Sequence, residues 1–361
     1  MNVRSWVVEK PSEPMVCRER AESPGAEQVL VQVAGCGVCH TDLGFFYEGV
    51  PTRRRFPLTL GHEISGTVVE AGAAAREWIG RAVVVPAVIP CGVCPACRAG
   101  RGSICPRQIF PGNDVHGGFA SHVVVPARGL CLVPDLADRA KNQHGVDLAE
   151  LSVIADAVST PYEAIERSGL GARDLAVFVG AGGVGGFGEQ IAAARGASVV
   201  AIDVDRARLA VLAEHGAGST LDATRLEFKA LKQAVKAFAD EREIPSWRQF
   251  VFETSGTLEG QATAFGLLGH GGYLGVVGFT PRKLELRLSN LMALDATVRG
   301  NWGCPPERYP AILELVLAGR VRLEPFIERR PLASINQTFR EIHERRTARR
   351  VVLVPEDEPW S

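Results

Sequence analysis

Four cysteines crowd one short loop, IPCGVCPACRAGRGSICP, where Cys91, Cys94, Cys97 and Cys105 stand at C-x2-C-x2-C-x7-C. A hydrophobic core does not gather that many thiols by itself, so this segment folds around a metal ion or a ladder of disulfides. Four thiolates close a tetrahedron around Zn²⁺ and leave no position open, which makes a structural site. Disulfides belong to oxidising compartments. The amino terminus, MNVRSWVVEKPSEP, has no apolar signal core. The expectation is therefore zinc, in a reduced and cytoplasmic protein. Cys17, Cys131 and Cys304 lack ligand spacing and read as small core residues. Cys36 makes C-x2-C with Cys39 without a redox-type βαβ pattern around it, and reads as packing.

A chain of 361 residues exceeds a single hydrophobic core and should divide into about two domains. Its formal net charge of -1 provides no global basic field for nucleic acid or an anionic membrane. No apolar run approaches the roughly 20 residues that span a bilayer. These limits leave a small-molecule partner.

From Val3 to about Ala155 the chain is a series of short strand-like runs (EQVLVQVAGCG, SGTVVEAG, RAVVVPA, FASHVVVPA) broken by Gly and Pro. That pattern predicts an irregular β-rich domain over 1–158, with loops carrying the cysteines. Near Ser159 it changes. LAVFVG (175–180) reads as a buried strand, 184–195 as a helix, SVVAID (198–203) as a second strand and 206–215 as a second helix; further alternation follows through 250–255, 258–268 and 272–279. Strands joined by helices predict an α/β domain over 159–302 with a doubly wound parallel sheet. Helices at 308–317 and 334–345 and a last strand at 350–354 should return to the first domain as segment 303–361. The run RRTARR (345–350) reads as a solvated helix end and the tail PEDEPWS as a frayed terminus.

Gly180, Gly182 and Gly185 form G-x-G-x-x-G, with Gly183 and Val184 inside it, between the LAVFVG strand and its helix. In that context the pattern signals a dinucleotide site. The first glycine permits the turn, the second lets backbone approach a pyrophosphate, and the third lets helix and strand pack closely. Asp203 ends the second strand, where a carboxylate accepts the adenosine ribose hydroxyls and repels a 2′-phosphate, so NAD is expected over NADP. Arg208 either holds that ribose, tolerates a phosphate, or is an exposed helix residue. Val277, after a later strand-like run, is a further cofactor candidate.

Cys39 in GCGVCHTD and His62 in GHEISG, taken with the glycine loop and the four-cysteine lobe, resemble the zinc-dependent medium-chain alcohol dehydrogenase family from about Leu30 onward. The resemblance implies a GroES-like catalytic domain joined to a Rossmann domain, two zinc ions per chain, and a homo-oligomer, either dimer or tetramer. It makes Cys39 and His62 ligands of a catalytic zinc. The third ligand would come from ADAVSTPYEA, where cysteine is frequent in relatives and this chain has Asp156; an oxygen donor makes the metal a harder Lewis acid. Asp156 read alone is also a candidate helix N-cap. Glu63 would be a supporting or alternative ligand, and Asp42 the carboxylate that orients His62. Thr41 resembles the hydroxyl that relays the substrate proton; Gly44 stands where many relatives continue the relay with histidine. His40 would substitute in the relay, contact the cofactor pyrophosphate, or remain a loop residue.

The stretches GCGVCHTDLGFFYEGVPTRRRFPLTLGHEISG, FPGNDVHGGFASHVVVPARGLC and LSVIADAVSTPYEAI resemble a narrower branch, the 6-hydroxycyclohex-1-ene-1-carbonyl-CoA dehydrogenases. That likeness implies NAD-dependent oxidation of a ring hydroxyl to the 6-oxo compound in anaerobic benzoyl-CoA breakdown, with conjugate reduction as a side activity. Arg53, Arg54 and Arg55 would then hold the coenzyme A phosphates, or form a solvated charged loop, while Phe45 or Trp302 would flank the ring. Two other readings stand beside it: a dehydrogenase of a small alcohol or polyol, and a catalytically silent NAD-binding protein.

Overall fold

The short apolar runs of the first third become strands because each alternates buried and exposed positions or is buried on both faces. A computed structural model describes residues 1–356; the remainder of the acidic tail, 357–361, lies outside the described residues. The chain forms two compact units. One comprises Met1–Ser159, Gly303–Gly319 and the chain from Phe326 onward; the other comprises Thr160–Trp302 and Arg320–Pro325.

The first unit is built on strand Gln28–Gly37. It pairs antiparallel with Glu63–Ala71 along one edge and with His122–Pro126 and the end of Arg350–Val354 along the other. Ala82–Val85 and Cys131–Leu132 extend the sheet beyond Glu63–Ala71, and Ile327–Pro331 adds in parallel outside Arg350–Val354. Val29, Val31, Ile64, Val83, Phe119 and Phe339 fill its core. The register matters for the chemistry. Gly37 lies opposite Glu63, so the turn after one strand, which carries Cys39, meets the turn before the other, which carries His62.

The second unit carries a six-stranded sheet in the order Ser219–Asp222, Ser198–Asp203, Leu175–Val179, Gln249–Glu253, Tyr273–Val276 and Thr297–Gly300, with every neighbour parallel. In order of appearance that is 3-2-1-4-5-6, the doubly wound order whose direction reverses beside its first strand. Leu175–Val179 is buried at every position, as a central strand covered by helices on both faces requires. The sheet includes two strands that no apolar run announces. Ser219–Asp222 is only half buried and Thr297–Gly300 is exposed throughout, so both form by extending a ladder already in place. The segment after residue 302 also divides: Arg320–Pro325 lies with the second unit, where Gln190 Nε2 donates to Arg322 O at 3.2 Å and Gln190 Oε1 accepts from Arg322 N at 2.7 Å.

Candidate active site

Cys39 caps the amino terminus of helix His40–Tyr47, and its own N–H donates to Asp42 Oδ2 at 3.0 Å. The other oxygen of Asp42 accepts Gly61 N at 3.1 Å. One fully buried carboxylate thus ties together the two turns that carry Cys39 and His62. It also lies 3.3 Å from His62 Nδ1, off the line of a hydrogen bond. His62 Nε2 faces Asp156 Oδ2 at 3.4 Å, and that same oxygen lies 3.5 Å from Cys39 Sγ.

These separations test whether zinc fits. With bonds near 2.3 Å to sulfur and 2.0–2.1 Å to nitrogen or oxygen, tetrahedral geometry sets a sulfur–oxygen edge of about 3.5 Å and a nitrogen–oxygen edge of about 3.4 Å. The two edges that meet at Asp156 Oδ2 have those lengths already. Burial disfavours charge on His62, yet Asp42, Asp156 and Cys39 together raise its pKa well above the ordinary imidazole value. A site that draws a buried histidine toward protonation is one that calls for a cation. Asp156 ends the buried 3₁₀ turn Glu150–Ala155 and is the partly open member, its side chain 20% exposed against 0% for His62. Thr41 Oγ1 lies 3.7 Å from Cys39 Sγ. His40 is exposed on the first turn of that helix.

Glu63 belongs to the same donor cluster, but its oxygens are engaged elsewhere. Arg350 Nε donates to Oε2 at 2.8 Å, Arg350 Nη2 donates to Oε1, and Ala157 N donates to Oε1 at 3.1 Å. In this conformation Glu63 is hydrogen-bonded to Arg350 and Ala157 beside the other donors. Arg350 corrects the reading of RRTARR as solvated: Arg345, Arg346 and Arg349 are exposed, whereas the Arg350 side chain is 7% exposed because it begins a strand that runs beside Glu63. Tyr309 stands in no motif either. Its buried hydroxyl donates to Ala155 O at 2.5 Å and accepts from Ala87 N and Ser159 Oγ, both at 3.4 Å, fixing the turn that presents Asp156.

Two substrate expectations change. Phe45 packs into the core and offers no face to a ligand, because a helix starting at Cys39 turns that position inward. Trp302 is half exposed, at the end of a segment of the second unit. Phe110 is the aromatic against the donors, its ring 4.8 Å from that of His62. Arg53, Arg54 and Arg55 are all exposed, and Arg53 is paired to Asp114 at 3.2 Å.

In the four-cysteine lobe, Cys94 Sγ lies 3.4 Å from Cys97 Sγ and 3.6 Å from Cys105 Sγ, and Cys91 Sγ lies 4.0 Å from Cys97 Sγ. An all-sulfur zinc tetrahedron has edges of about 3.8 Å. The Val93 N–H, followed by that of Cys94, pulls the Cys91 thiol down to about 6, while burial and the sulfurs of Cys94 and Cys105 push Cys97 up to about 11. With all four as thiolates, this spacing would suit a cation among them. The free cysteines Cys36, Cys131 and Cys304 are buried, and Cys17 is partly so.

The second unit carries the glycine loop. Gly180 adopts φ +108, and a Cβ on Gly185 would stand 1.8 Å from Gly180 O. A Cβ on Gly182 would meet only Arg208 Nη1, at 3.8 Å. The middle glycine thus borders open space at the amino terminus of helix Gly183–Ala194, whose first residues are Gly183 and Val184, as an approaching phosphate requires. Asp203 Oδ2 accepts Ala181 N at 2.5 Å and Oδ1 accepts Asp205 N at 2.8 Å, which fixes the carboxylate beside that loop. Arg208 Nε is buried without a hydrogen bond and lies 3.5 Å from Asp205. Val277 follows strand Tyr273–Val276, its N–H on Glu253 O.

Comparison with known proteins agrees with both units. Residues 25–135 match the alcohol dehydrogenase GroES-like domain and residues 183–318 match the zinc-binding dehydrogenase domain. The chain belongs to the zinc-dependent medium-chain dehydrogenase family. This dehydrogenase is 28% identical over 339 residues to an alcohol dehydrogenase of Geobacillus stearothermophilus, covering 93% of this chain and 94% of that protein. It is 28% identical to D-arabinose 1-dehydrogenase (NADP(+)) of Saccharolobus solfataricus, covering 98% and 97%. The crystal structure of galactitol-1-phosphate dehydrogenase from Escherichia coli superposes with a TM-score of 0.84 at 25% identity, covering 98% of this chain and 100% of that one. The dehydrogenase is an oxidoreductase acting on CH–OH groups. Among the described residues no helix is long and apolar enough to cross a membrane.

Proposed function

We propose that this dehydrogenase oxidises a secondary ring alcohol carried on a coenzyme A thioester, 6-hydroxycyclohex-1-ene-1-carbonyl-CoA or a close analogue, with NAD as acceptor and two zinc ions per chain. The observation that carries the chemistry is the spacing of Cys39 Sγ, His62 Nε2 and Asp156 Oδ2 at the edges of a zinc tetrahedron. The thioester rests on the sequence likeness in the three stretches quoted above.

Zinc supplies the Lewis acidity that makes an alcohol proton labile near neutral pH, and NAD supplies the hydride acceptor. The protein's own groups do the rest. Asp42 holds the Cys39 and His62 turns in register, and Arg350 engages the Glu63 carboxylate beside the donors. Thr41, in the first turn of helix His40–Tyr47, receives the hydroxyl proton and passes it outward; with Gly44 in place of a histidine, water or His40 completes the path. Asp203, fixed by Ala181 N and Asp205 N, presents its free lone pairs to the ribose and disfavours a 2′-phosphate by like charge. A homo-oligomer joined through the second unit accords with its exposed edge strand Thr297–Gly300 and the exposed Leu288 and Met292.

The names of two relatives favour a second reading, a free alcohol or polyol as substrate. A steady-state screen with NAD decides between them. Turnover of a cyclic hydroxyacyl-CoA above any free alcohol supports the thioester, and the reverse order overturns it. Elemental analysis should give two zinc per chain; one or none in a fully active preparation refutes the metal assignment. Equal efficiency with NADP and NAD would remove the role given to Asp203.

A further inference from the structure

Three distant segments bring cationic and imidazole groups together beside the Phe110 loop. Arg20, on strand Val16–Ala21, donates from Nη1 to the buried hydroxyls of Ser5 at 2.5 Å and Thr59 at 3.3 Å. Thr59 N donates to His116 Nδ1 at 3.1 Å, so the imidazole proton resides on Nε2. Burial, then the charges of Arg20 and Arg54, lower the His116 pKa to about 4, which keeps the ring a neutral donor at pH 7. Arg54 N donates to Asn113 O at 2.8 Å and Arg53 N to Asn113 Oδ1 at 2.8 Å, docking the arginine loop onto the turn that carries His116.

The carboxylates nearby are already committed, Glu22 to Arg20 and Asp114 to Arg53. The side chains of Arg54 and Arg55 have no ion-pair partner among the described residues, which leaves two positive charges uncompensated in a chain of net charge -1. The cluster is also close to the metal donors. Thr59 precedes His62 by three residues, which limits their Cα separation to about 11 Å. Asp114 Oδ2 accepts Phe110 N at 2.9 Å, and the Phe110 ring lies against His62.

We propose that Arg54 and His116, backed by Arg20, recognise a phosphate group on the substrate. Guanidinium and imidazole N–H groups suit phosphate oxygens, and among the described residues no carboxylate is paired with Arg54 or His116. This replaces the run of three arginines with a site built from three segments, in which Arg53 is a strut. It rests on the oxidation chemistry proposed at Cys39, His62 and Asp156 and is independent of the thioester: the phosphate belongs either to coenzyme A or to a phosphorylated polyol.

The test uses the zinc-loaded full chain with NAD and three substrates: a cyclic hydroxyacyl-CoA, a polyol phosphate and a phosphate-free alcohol. Arg54→Ala, and His116→Asn, which keeps the acceptor facing Thr59 while removing the Nε2 donor, should raise KM about 10- to 100-fold for the phosphate-bearing substrate that is used, with kcat within twofold. The phosphate-free alcohol should be unaffected, Arg54→Lys should recover most of the loss, and whichever phosphate arm responds identifies the source. In parallel, calorimetric titration with inorganic phosphate and with adenosine 3′,5′-bisphosphate reads the site without turnover. A wild-type protein that binds these anions, loses that binding in Arg54→Ala, and oxidises no alcohol would retain the phosphate site and refute the oxidation reading. An unchanged KM for every phosphate substrate, an equal rise for the phosphate-free alcohol, or undiminished anion binding in Arg54→Ala overturns the proposal.

Discussion

Replacing Arg350 by Ala strips both guanidinium hydrogen bonds from Glu63, a carboxylate with 0% side-chain exposure, and leaves it only the N–H of Ala157. Removing one partner of such a pair leaves a buried charge uncompensated, which costs about 3–5 kcal/mol. In a unit of this size each kcal/mol moves Tm by about 2–4 °C, so the zinc-loaded variant should melt roughly 6–20 °C below the parent. The arginine stem also packs, so Arg350→Met combined with Glu63→Leu is the informative companion: with the charge gone as well, it should recover most of the loss. Scanning calorimetry of the three proteins, with zinc content measured in each, tests this. Freed Glu63 lies within the donor cluster, so the single variant should also show altered ligation in the visible spectrum of its cobalt form. An Arg350→Ala protein within about 1 kcal/mol of the parent would show that the pair contributes nothing beyond an ordinary surface bridge.

Gly182→Ala should fold with parental Tm and bind NAD at least tenfold more weakly by fluorescence titration, whereas Gly185→Ala, whose Cβ would stand 1.8 Å from Gly180 O, should lower the melting temperature of the second unit by itself. Glu189 is fully buried with both carboxyl oxygens unpaired, and burial, then the Asp203 charge, raise its pKa well above the ordinary value. A raised folded-state pKa means that this acid's contribution is complete below its unfolded value and is lost as pH rises toward the folded one, so Glu189→Leu should stabilise more at pH 8 than at pH 4.5 in urea titrations. Cys97→Ser should cost the lobe its zinc and increase proteolysis near residues 91–105, while the single ion at Cys39, His62 and Asp156 remains countable by elemental analysis.

The parts of this molecule that were legible in its sequence are those whose physics is local. A glycine that must take φ +108 sits in a short string, and four sulfurs on one loop announce a tetrahedron wherever that loop goes. The first strands of the second unit were visible because buried parallel strands read as unbroken apolar runs. Ser219–Asp222 and Thr297–Gly300 were not, since they are strands only by pairing with a neighbour. The same division runs through the site. Cys39 and His62 stand in dense motifs, but Asp156 also reads as a cap until its oxygen is seen 3.4 Å from His62. Arg350 shares its composition with the exposed arginines before it, and only the apolar VVLV that follows hinted that it starts a buried strand. Phe45 is an apolar residue soon after the Cys39 motif, but the helix that buries it is set by the cap at Cys39.

The ion pair between Glu63 and Arg350 also has a consequence in time. The two residues are 287 positions apart, and ribosomes add roughly 5–20 residues per second, so about 15–60 s separate the emergence of one partner from that of the other. Throughout that interval the nascent first unit exposes an acid without its base, and the whole second unit is made before the base appears. Zinc that arrives early would meet Glu63 as a competing ligand. Faithful loading of the catalytic centre is therefore an event of the finished chain, and conditions that slow synthesis of its last third should increase the share of protein with a misassembled metal site.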